Sequence, residues 1–160
     1  MTIDEAPGSL GRGTPADPRL VIEAWLAVPY ELEWRCLLLH RTPASGDYWQ
    51  GVSGRVEAFD ASLRAAALRE IREETGIEGV EIVDLGRMRD FRGLLSGTYF
   101  RSYGLGAVLP PGITAERVRL SDEHDAVALL TFEEARSRLR FEENVRELLA
   151  WEARLPARKP

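Results

Sequence analysis

Hydrophobic residues near the start of the chain form short runs that are typical of β-strands. The stretches LVIEAWLAV (20–28) and WRCLLLHR (34–41) are apolar and β-compatible, and PYELE (29–33) predicts a turn between them. The folded part of the chain is therefore expected to begin near Arg19. Residues 1–18 are rich in Pro, Gly, Ser and acidic side chains without periodicity, and this composition predicts a mobile tail.

The middle of the chain combines a turn-rich segment with one charged helix and more strand candidates. Residues 43–60, PASGDYWQGVSGRVEAFD, lead into a helix predicted at 61–75, which Gly76 can end as a left-handed cap. Further strands are predicted from apolar runs within 77–91, 97–109 and 125–132.

The end of the chain adds two more helices. Thr131 followed by Glu134 has the spacing of a capping box, and residues 141–155, FEENVRELLAWEARL, are amphipathic with a helical period. Mixed strands with two or three helices and no internal repeat predict an α/β sandwich. We expect one domain over residues 19–160.

Composition narrows the classes of partner. A chain of 160 residues with 44% hydrophobic and 29% charged residues is typical of a soluble domain with its own core. Its net charge of −5 argues against binding to long nucleic acid, which normally needs a basic surface. The single cysteine, Cys36, excludes an intrachain disulfide. Without an apolar leader or a membrane-length run, we expect a cytoplasmic location and no membrane partner.

The charged helix carries the strongest chemical signal. In ALREIREETGI, residues 67–77, Glu70, Glu73 and Glu74 fall at i, i+3 and i+4, which places all three carboxylates on one face. Like charges at this distance repel one another unless a cation lies among them. Because carboxylate oxygens are hard ligands, the pattern predicts a site for Mg²⁺, with Mn²⁺ as the alternative.

Two interpretations of this helix are open from the residue pattern alone. In one, Leu68 and Ile71 form the core side and the carboxylates form a functional side more than a quarter-turn away. In the other, the helix is solvated and its glutamates simply pair with Arg69 and Arg72.

The exact string favours the functional interpretation, because it resembles the second half of the Nudix box, R-E-U-x-E-E-x-G-U, where U is aliphatic. The matching residues are Arg69, Glu70, Ile71, Glu73, Glu74, Gly76 and Ile77. The first half of the box has a glycine and a glutamate at fixed positions. With one residue inserted in the loop, Gly54 and Asp60 take those places.

Segments on either side of the box extend the resemblance over residues 19–151. The stretch WQGVSGRVE is similar to the W-Q-x-V-x-G-x-V-E pattern of the dihydroneopterin triphosphate pyrophosphatase branch, with matches at Trp49, Gln50, Val52, Gly54, Val56 and Glu57. The acidic SDEHD loop, at 121–125, and the strand and helices after it resemble the C-terminal part of the same family.

The resemblance implies the Nudix α/β/α sandwich, with a mixed sheet between helices, and a Mg²⁺-dependent pyrophosphohydrolase. Such enzymes send water at a phosphorus of a nucleoside triphosphate or of a nucleoside diphosphate linked to another group. The implied metal ligands are Glu70, Glu73 and Glu74, with a backbone carbonyl of Ser53 or Gly54. Arg69 is implied to orient a glutamate of the box by ion pairing.

Glu123 in the SDEHD loop is the candidate for a general base or an additional metal ligand outside the box. The alternative interpretation is that Glu123 is simply a polar residue of the loop. His124 and His40 are weaker candidates, because lone histidines are more often structural.

Candidates for substrate binding are less specific. Phosphate contacts are expected from arginines at positions 41, 55, 92 and 101, and stacking on a base or pterin ring from Trp49, Tyr99 and Tyr103. Core packing is the alternative for the aromatic residues. We expect a small phosphoanhydride substrate and a monomer or homodimer.

Other functional classes share the fold. A ligand-binding or regulatory Nudix-fold module without catalysis is one alternative, although the intact glutamate set favours an enzyme. Isopentenyl diphosphate isomerase is another, but it needs a catalytic cysteine, and Cys36 lies within an apolar strand run. Hydrolysis of RNA 5′ ends is a third, which the acidic net charge disfavours.

Overall fold

The computed structural model describes residues 2–158 as seven strands, three α-helices and two short 3₁₀ turns. The strands are β1 (Arg19–Tyr30), β2 (Glu33–Arg41), β3 (Trp49–Gln50), β4 (Val52–Arg55), β5 (Glu81–Arg92), β6 (Tyr99–Val108) and β7 (His124–Thr131). The helices are α1 (Leu63–Thr75), α2 (Phe132–Arg138) and α3 (Glu142–Arg154), and the 3₁₀ turns are Pro43–Ser45 and Ala115–Arg117. No helix among the described residues is both long and apolar enough to cross a bilayer.

The sheet is mixed, as predicted. Its main order is β3-β2-β1-β6-β5, with β1 and β6 parallel and the other pairs antiparallel. The central strand β1 has two partners along one edge, because Val21–Ala24 pairs with β4 and Leu26–Tyr30 pairs with β2. β7 extends the sheet by pairing with β2. This divided edge is where the turn-rich segment of the sequence enters the sheet.

Helices cover both faces of the sheet. α1 packs into one apolar cluster with alternate residues of β1, including Ile22, Ala24 and Leu26. α2 and α3 pack on the opposite face in a second cluster with Trp25 and Ala27. Because successive strand residues point to opposite faces, the apolar run of β1 supplies both clusters. The α/β/α sandwich expected from the sequence is confirmed.

The predicted helix ends are also confirmed at two positions. Gly76 adopts φ 75° and its N–H donates to the carbonyl of Arg72, which satisfies a free carbonyl at the end of α1. The hydroxyl of Thr131 accepts from the N–H of Glu134, whose carboxylate accepts from the N–H of Thr131, so the capping box caps α2.

The buried side of α1 differs from the expected one. Ile71 is fully buried as predicted, but Leu68 is 37% exposed, so its assignment to the core side was wrong. Glu70 and Glu74 instead lie on the buried side together with Ala66 and Ala67. The two alanines fill the sheet-facing positions with little volume, and this lets the carboxylates of the next turns approach the sheet.

Residues 2–18 pack against the domain, whereas the sequence predicted a mobile tail over residues 1–18. Ile3 is 3% exposed and joins the cluster around α1, and its carbonyl accepts from the N–H of Arg64. The carboxylate of Asp4 lies 2.7 Å from the Arg64 guanidinium, and the carbonyl of Leu10 accepts from the N–H of Leu20. A single buried isoleucine has no periodicity, so the pattern did not reveal it. Met1 and the last two residues of the predicted domain, 159–160, lie outside the described residues.

Replacing Ile3 with alanine is expected to lower the free energy of unfolding by about 2 kcal/mol, because it removes a buried side chain and leaves a cavity. Gly8→Ala is the matched control in the same segment, since an added methyl group there meets no atom within 4 Å. Urea denaturation of both variants measures the difference. Equal midpoints for Ile3→Ala and the wild-type protein would show that the segment does not contribute to stability.

Candidate active site

The carboxylate of Glu70 lies directly against the backbone of Gly54 in β4. A Cβ added at Gly54 would collide with that carboxylate, so only glycine allows the contact. Glu70 and Glu74 are 8% and 6% exposed, whereas the side chain of Glu73 is 53% exposed. The predicted carboxylate face therefore has two buried members against the sheet and one member at its solvent edge.

The guanidinium group of Arg69 links the carboxylates on this face of α1. It donates two hydrogen bonds to Asp60, at 2.9 and 2.7 Å, and one each to Glu70 at 2.8 Å and Glu73 at 3.3 Å. A further bond runs to the carbonyl of Arg55 at 3.0 Å. The Arg69 hydrogen bond holds the pKa of Asp60 below its ordinary value despite partial burial. The shorter aspartate at the position of the family's glutamate thus still anchors the arginine.

Glu70 and Glu74 have opposite electrostatic environments. Burial raises the pKa of Glu70 to about 7 against the hydrogen bond and positive charge of Arg69. Burial also pushes the pKa of Glu74 upward, but hydrogen bonding by His124 and Ser121 outweighs it and holds that pKa below the ordinary value. The site therefore combines one carboxyl group that resists ionisation with one that favours it.

Glu74 is held by a buried chain of polar side chains. Its Oε2 lies 2.7 Å from Nδ1 of His124 and accepts a hydrogen bond from the Ser121 hydroxyl at 2.8 Å. The Gln50 amide donates to Nε2 of His124 at 3.1 Å, which leaves the ring proton on Nδ1, facing Glu74. From the sequence, His124 was only a weak candidate for a functional residue. The contact between His124 and Glu74 depends on the pairing of β2 with β7, which sequence spacing does not reveal.

A cavity of about 930 Å³ opens beside these carboxylates. One edge of it is acidic, with Glu57, the three glutamates of α1 and Glu123. Its floor is the face of the sheet that α3 covers, and the loop at 93–96 and the start of α3 form its walls. The residues predicted as site residues that line the cavity are Arg41, Gly54, Arg55, Glu70, Glu73, Glu74, Arg92 and Glu123.

Glu123 lies at the rim of this cavity. Its side chain is 56% exposed, and its carboxylate is 3.9 Å from the guanidinium of Arg41. The carbonyl of Glu123 accepts from the N–H of Thr42, which fixes the loop against the end of β2. The position gives Glu123 access to the cavity, and its role as a base or metal ligand stays a prediction.

Other predicted substrate-binding residues lie elsewhere. Trp49 packs against His40, with ring centroids 5.1 Å apart, and under the guanidinium of Arg138. Arg101 pairs with Asp90 across β5 and β6, at 2.8 and 2.9 Å. Neither side chain lines the cavity. Alternation along β6 turns Arg101 away from the cavity floor, whereas Trp49 lies on β3 opposite His40 of β2.

Tyr99, Tyr103 and Cys36 are also absent from the cavity lining. The Tyr99 ring lies 5.8 Å from the guanidinium carbon of Arg92, and Tyr103 is buried with its hydroxyl donating to Asp84 at 3.3 Å. Cys36 is fully buried in the second apolar cluster, and burial raises the pKa of its thiol. A thiol in that position cannot act as the catalytic cysteine of an isomerase.

A buried charged network on the cavity floor was missed by the sequence analysis. Arg89 donates to Glu147 at 3.0 Å and to Glu23 at 3.3 Å, and the amide of Asn144 donates to Glu23 at 2.8 Å. Burial, and then the negative charge of Glu147, raise the pKa of Glu23 to about 8 against the positive charge of Arg89. The sequence contained one indication of this network, because Glu23 interrupts the otherwise apolar run of β1.

The oxygen donors of the acidic edge suit a hard divalent cation. Among residues 2–158, no three carboxylate, imidazole or thiol groups converge on one point as the side chains stand. Arg69 bridges Glu70 and Glu73, and His124 contacts Glu74, so these contacts take the place of a shared ligand. Glu73 is exposed enough to reorient, and Gly54 leaves its backbone accessible beside Glu70. The residues therefore fit such a cation chemically.

Most of the chain matches the model of one protein family. The model of the NUDIX domain matches residues 22–151. Over 121 residues the chain is 37% identical to an octanoyltransferase of Myxococcus xanthus, a match that covers 69% of this chain and 30% of that protein. The chain thus spans under a third of the length of this relative.

Solved structures show the same architecture. The dihydroneopterin triphosphate pyrophosphohydrolase of E. coli is 22% identical with a TM-score of 0.69, and the match covers 85% of this chain and 96% of that one. An Ap4A hydrolase of C. elegans, in a binary complex, is 20% identical with a TM-score of 0.68, over 84% and 95% of the two chains. At these identities the likeness is one of fold.

Proposed function

The chain belongs to the NUDIX domain family, and from that premise we propose that it is a hydrolase of phosphoanhydride bonds that cleaves a nucleoside triphosphate or a nucleoside diphosphate linked to another group. The observation that carries the proposal is the placement of the Glu70 and Glu74 carboxylates, both nearly buried, at the edge of a cavity that arginines also line. Arg69 and His124 hold these carboxylates in place, and carboxylate oxygens at the cavity edge are hard donors that suit a divalent cation.

NUDIX hydrolases use divalent metal ions, and we propose Mg²⁺ here, with Mn²⁺ as the alternative. Glu70, Glu73 and Glu74 would hold the ion, with the Gly54 carbonyl and Glu123 as further oxygen donors. When bound, the cation neutralises phosphate oxygens and lowers the pKa of a coordinated water. Arg69 keeps the Glu70 carboxylate in place, and its bidentate pair with Asp60 fixes the orientation of the guanidinium group.

Cationic side chains of the cavity would position the phosphate chain. Arg41 is held by a 2.6 Å hydrogen bond from its Nε to the carbonyl of Ser45, so its two terminal nitrogens are oriented together. Arg55 is exposed on β4, next to the box loop, with its guanidinium 5.7 Å from the ring centre of Phe100. A guanidinium fork matches two phosphate oxygens, and this geometry favours in-line attack by a positioned water.

Glu123 would accept the proton of the attacking water. It lines the same cavity, and its high exposure keeps the carboxylate available instead of committing it to a buried pair. The net charge of −5 supports a small-molecule substrate over long nucleic acid. A cytoplasmic location and a monomer or homodimer stay predictions.

A substrate screen tests the proposal. We expect Mg²⁺-dependent hydrolysis of at least one compound among nucleoside triphosphates, dinucleoside polyphosphates, nucleotide sugars, ADP-ribose and dihydroneopterin triphosphate. The released products identify the phosphorus that is attacked. Hydrolysis that survives complete chelation of divalent ions would contradict the metal-dependent mechanism. Tight binding without turnover across the panel would instead indicate a ligand-binding module.

A further inference from the structure

We infer that His40 is a positioning residue that couples two loops at the rim of the cavity and so holds Arg41 and Glu123 beside each other. The loop at 42–48 follows β2 and holds the Arg41 side chain, whereas the SDEHD loop leads into β7 and carries Glu123. The inference rests on the proposed function for the roles of these two side chains, which are phosphate binding by Arg41 and proton acceptance by Glu123.

The imidazole ring of His40 has a carboxylate at each of its nitrogens. Nδ1 lies 2.6 Å from Oδ1 of Asp125, and Nε2 lies 3.2 Å from Oδ1 of Asp47. Both distances are within the range of a hydrogen bond. Trp49 packs against the ring and supports its orientation. His40 therefore bridges the loop at 42–48, through Asp47, to the first residues of β7, through Asp125.

The contact with Asp125 fixes an irregular point in the sheet. Ala126 lies opposite His40 in the pairing of β7 with β2. The next pair is Arg41 with His124, so Asp125 is an extra residue on β7, as in a β-bulge. The extra residue of a bulge is left out of the ladder, and its position depends on other contacts. Bulges beside active sites re-aim side chains, and this one precedes the turn from β7 into the SDEHD loop.

The contact with Asp47 fixes the turn that orients Arg41. Asp47 has φ 58°, a left-handed conformation that aspartate tolerates better than most residues. Its N–H donates to the carbonyl of Thr42 at 3.1 Å, and the carbonyl of Ser45 in the same turn accepts from Nε of Arg41 at 2.6 Å. Holding Asp47 in place therefore holds the carbonyl that aims the Arg41 guanidinium.

The two loops meet directly beside His40. The N–H of Thr42 donates to the carbonyl of Glu123 at 3.0 Å, and the Glu123 carboxylate lies 3.9 Å from the Arg41 guanidinium. A side chain that binds phosphate and a side chain that accepts the proton of the attacking water must be held in register with the same phosphorus. The His40 bridge provides such a register, because it joins the two loops on the side away from the ion pair.

A histidine that only stabilised the fold would behave differently. Its loss would lower Tm, and removal of either aspartate would have the same kind of effect on catalysis. The positioning role predicts instead that each aspartate affects the side chain on its own loop. The separation of kcat from KM is therefore the measurement that distinguishes the two roles.

Steady-state kinetics with a hydrolysed compound tests the inference. Asp125→Ala is expected to lower kcat about 10-fold with little change in KM, and Asp47→Gly to raise KM about 10-fold with little change in kcat, the scale of one hydrogen bond. Glycine is used at position 47 because it accepts the positive φ without strain. His40→Ala is expected to change both parameters. Asp47→Asn and Asp125→Asn keep an acceptor oxygen and should restore nearly wild-type values.

Amide hydrogen exchange tests the same coupling without turnover. The Thr42 N–H crosses from one loop to the other, so its exchange reports whether the loops stay together. We expect about 10-fold faster exchange at Thr42 in His40→Ala, Asp47→Gly and Asp125→Ala, the scale of one hydrogen bond. The amides of α1 serve as the internal reference and are expected to keep their wild-type rates.

Glu152→Ala is the matched control, because Glu152 pairs with Arg136 at 2.6 Å, has a similar exposure to Asp125 and is absent from the cavity lining. It is expected to keep the wild-type kinetics and Thr42 exchange. Unchanged Thr42 exchange in His40→Ala, or the same kinetic effect from Asp47→Gly and Asp125→Ala, overturns the inference and leaves the proposed function standing. If the wild-type protein hydrolyses no compound, the proposed function fails, and Thr42 exchange alone decides whether His40 couples the loops.

Discussion

Glu74→Gln and Glu70→Gln are each expected to lower kcat by about 10²-fold or more, the scale associated with losing a preorganised charge at the reacting group. Both carboxylates are nearly buried at the cavity edge, so water cannot readily replace them. An amide keeps the size of the side chain but weakens cation binding. Steady-state hydrolysis over a range of Mg²⁺ concentrations measures the effect on kcat and on the metal requirement.

Glu78→Gln is the matched control for these variants, because Glu78 lies just beyond α1, is exposed and is absent from the cavity lining. It is expected to keep the wild-type rate. Near-wild-type rates in both Glu70→Gln and Glu74→Gln would show that the carboxylates of α1 do not take part in the reaction.

The Glu70 variant also has an expected signature in stability. The folded-state pKa of Glu70, about 7, lies above its ordinary value of 4.5, so its ionisation opposes folding. Its contribution to stability is complete below pH 4.5 and declines as the pH rises through about 7. Thermal unfolding of the metal-free protein between pH 4.5 and 8 should therefore show a smaller loss of Tm for Glu70→Gln than for the wild-type protein.

Glu123→Gln is expected to lower kcat by about 10²-fold while KM changes only a few-fold, as is typical when a general base is lost. The glutamates of α1 are engaged by Arg69, by His124 and by the proposed cation, which leaves the loop carboxylate as the accessible base. Single-turnover and steady-state kinetics separate the chemical step from binding.

Asp122→Asn is the neighbouring control and is expected to have a much smaller effect, because Asp122 is absent from the cavity lining. Similar rates for Asp122→Asn and Glu123→Gln would place the base elsewhere, and Glu57 or Glu73 would be the next candidates. Both of these line the cavity.

Local spacing was enough to predict the elements that depend on nearby residues. The end of α1 at Gly76 and the capping box at Thr131 follow from groups within one helical turn, and the structure confirms both. The order of the five long strands and the three helices was likewise predictable, because apolar runs and turn residues alternate clearly along the chain. The short strands β3 and β4 lie within the segment that was predicted as turn-rich.

Features that depend on contacts between distant segments were not predictable in the same way. Leu68 has the polarity of a core residue, yet it is exposed, whereas Glu70 is buried and its carboxylate lies against Gly54 of β4. Asp60 is shorter than the glutamate of the family pattern, but Arg69 is long enough to reach it. Trp49 matched the family pattern and still packs against His40 and Arg138 outside the cavity lining, because β3 pairs with β2 and places Trp49 opposite His40.

The charged network on the cavity floor could not be predicted from the sequence either. Glu23 and Asn144 are 121 positions apart in the chain, and their contact exists only because α3 lies across β1. Neither residue belongs to a motif of the box. A buried glutamate in an apolar strand indicates a partner somewhere in the fold, but its identity required the packed structure.

The burial of Cys36 makes the chain convenient for site-specific labelling. A fully buried thiol with a raised pKa reacts slowly with maleimides, so a second cysteine at an exposed position becomes the single reactive thiol of the folded protein. Leu95, 70% exposed on the loop that lines the cavity, is such a position. A fluorophore attached there reports the arrival of a ligand, while the slow modification of Cys36 itself reports how often the whole domain opens.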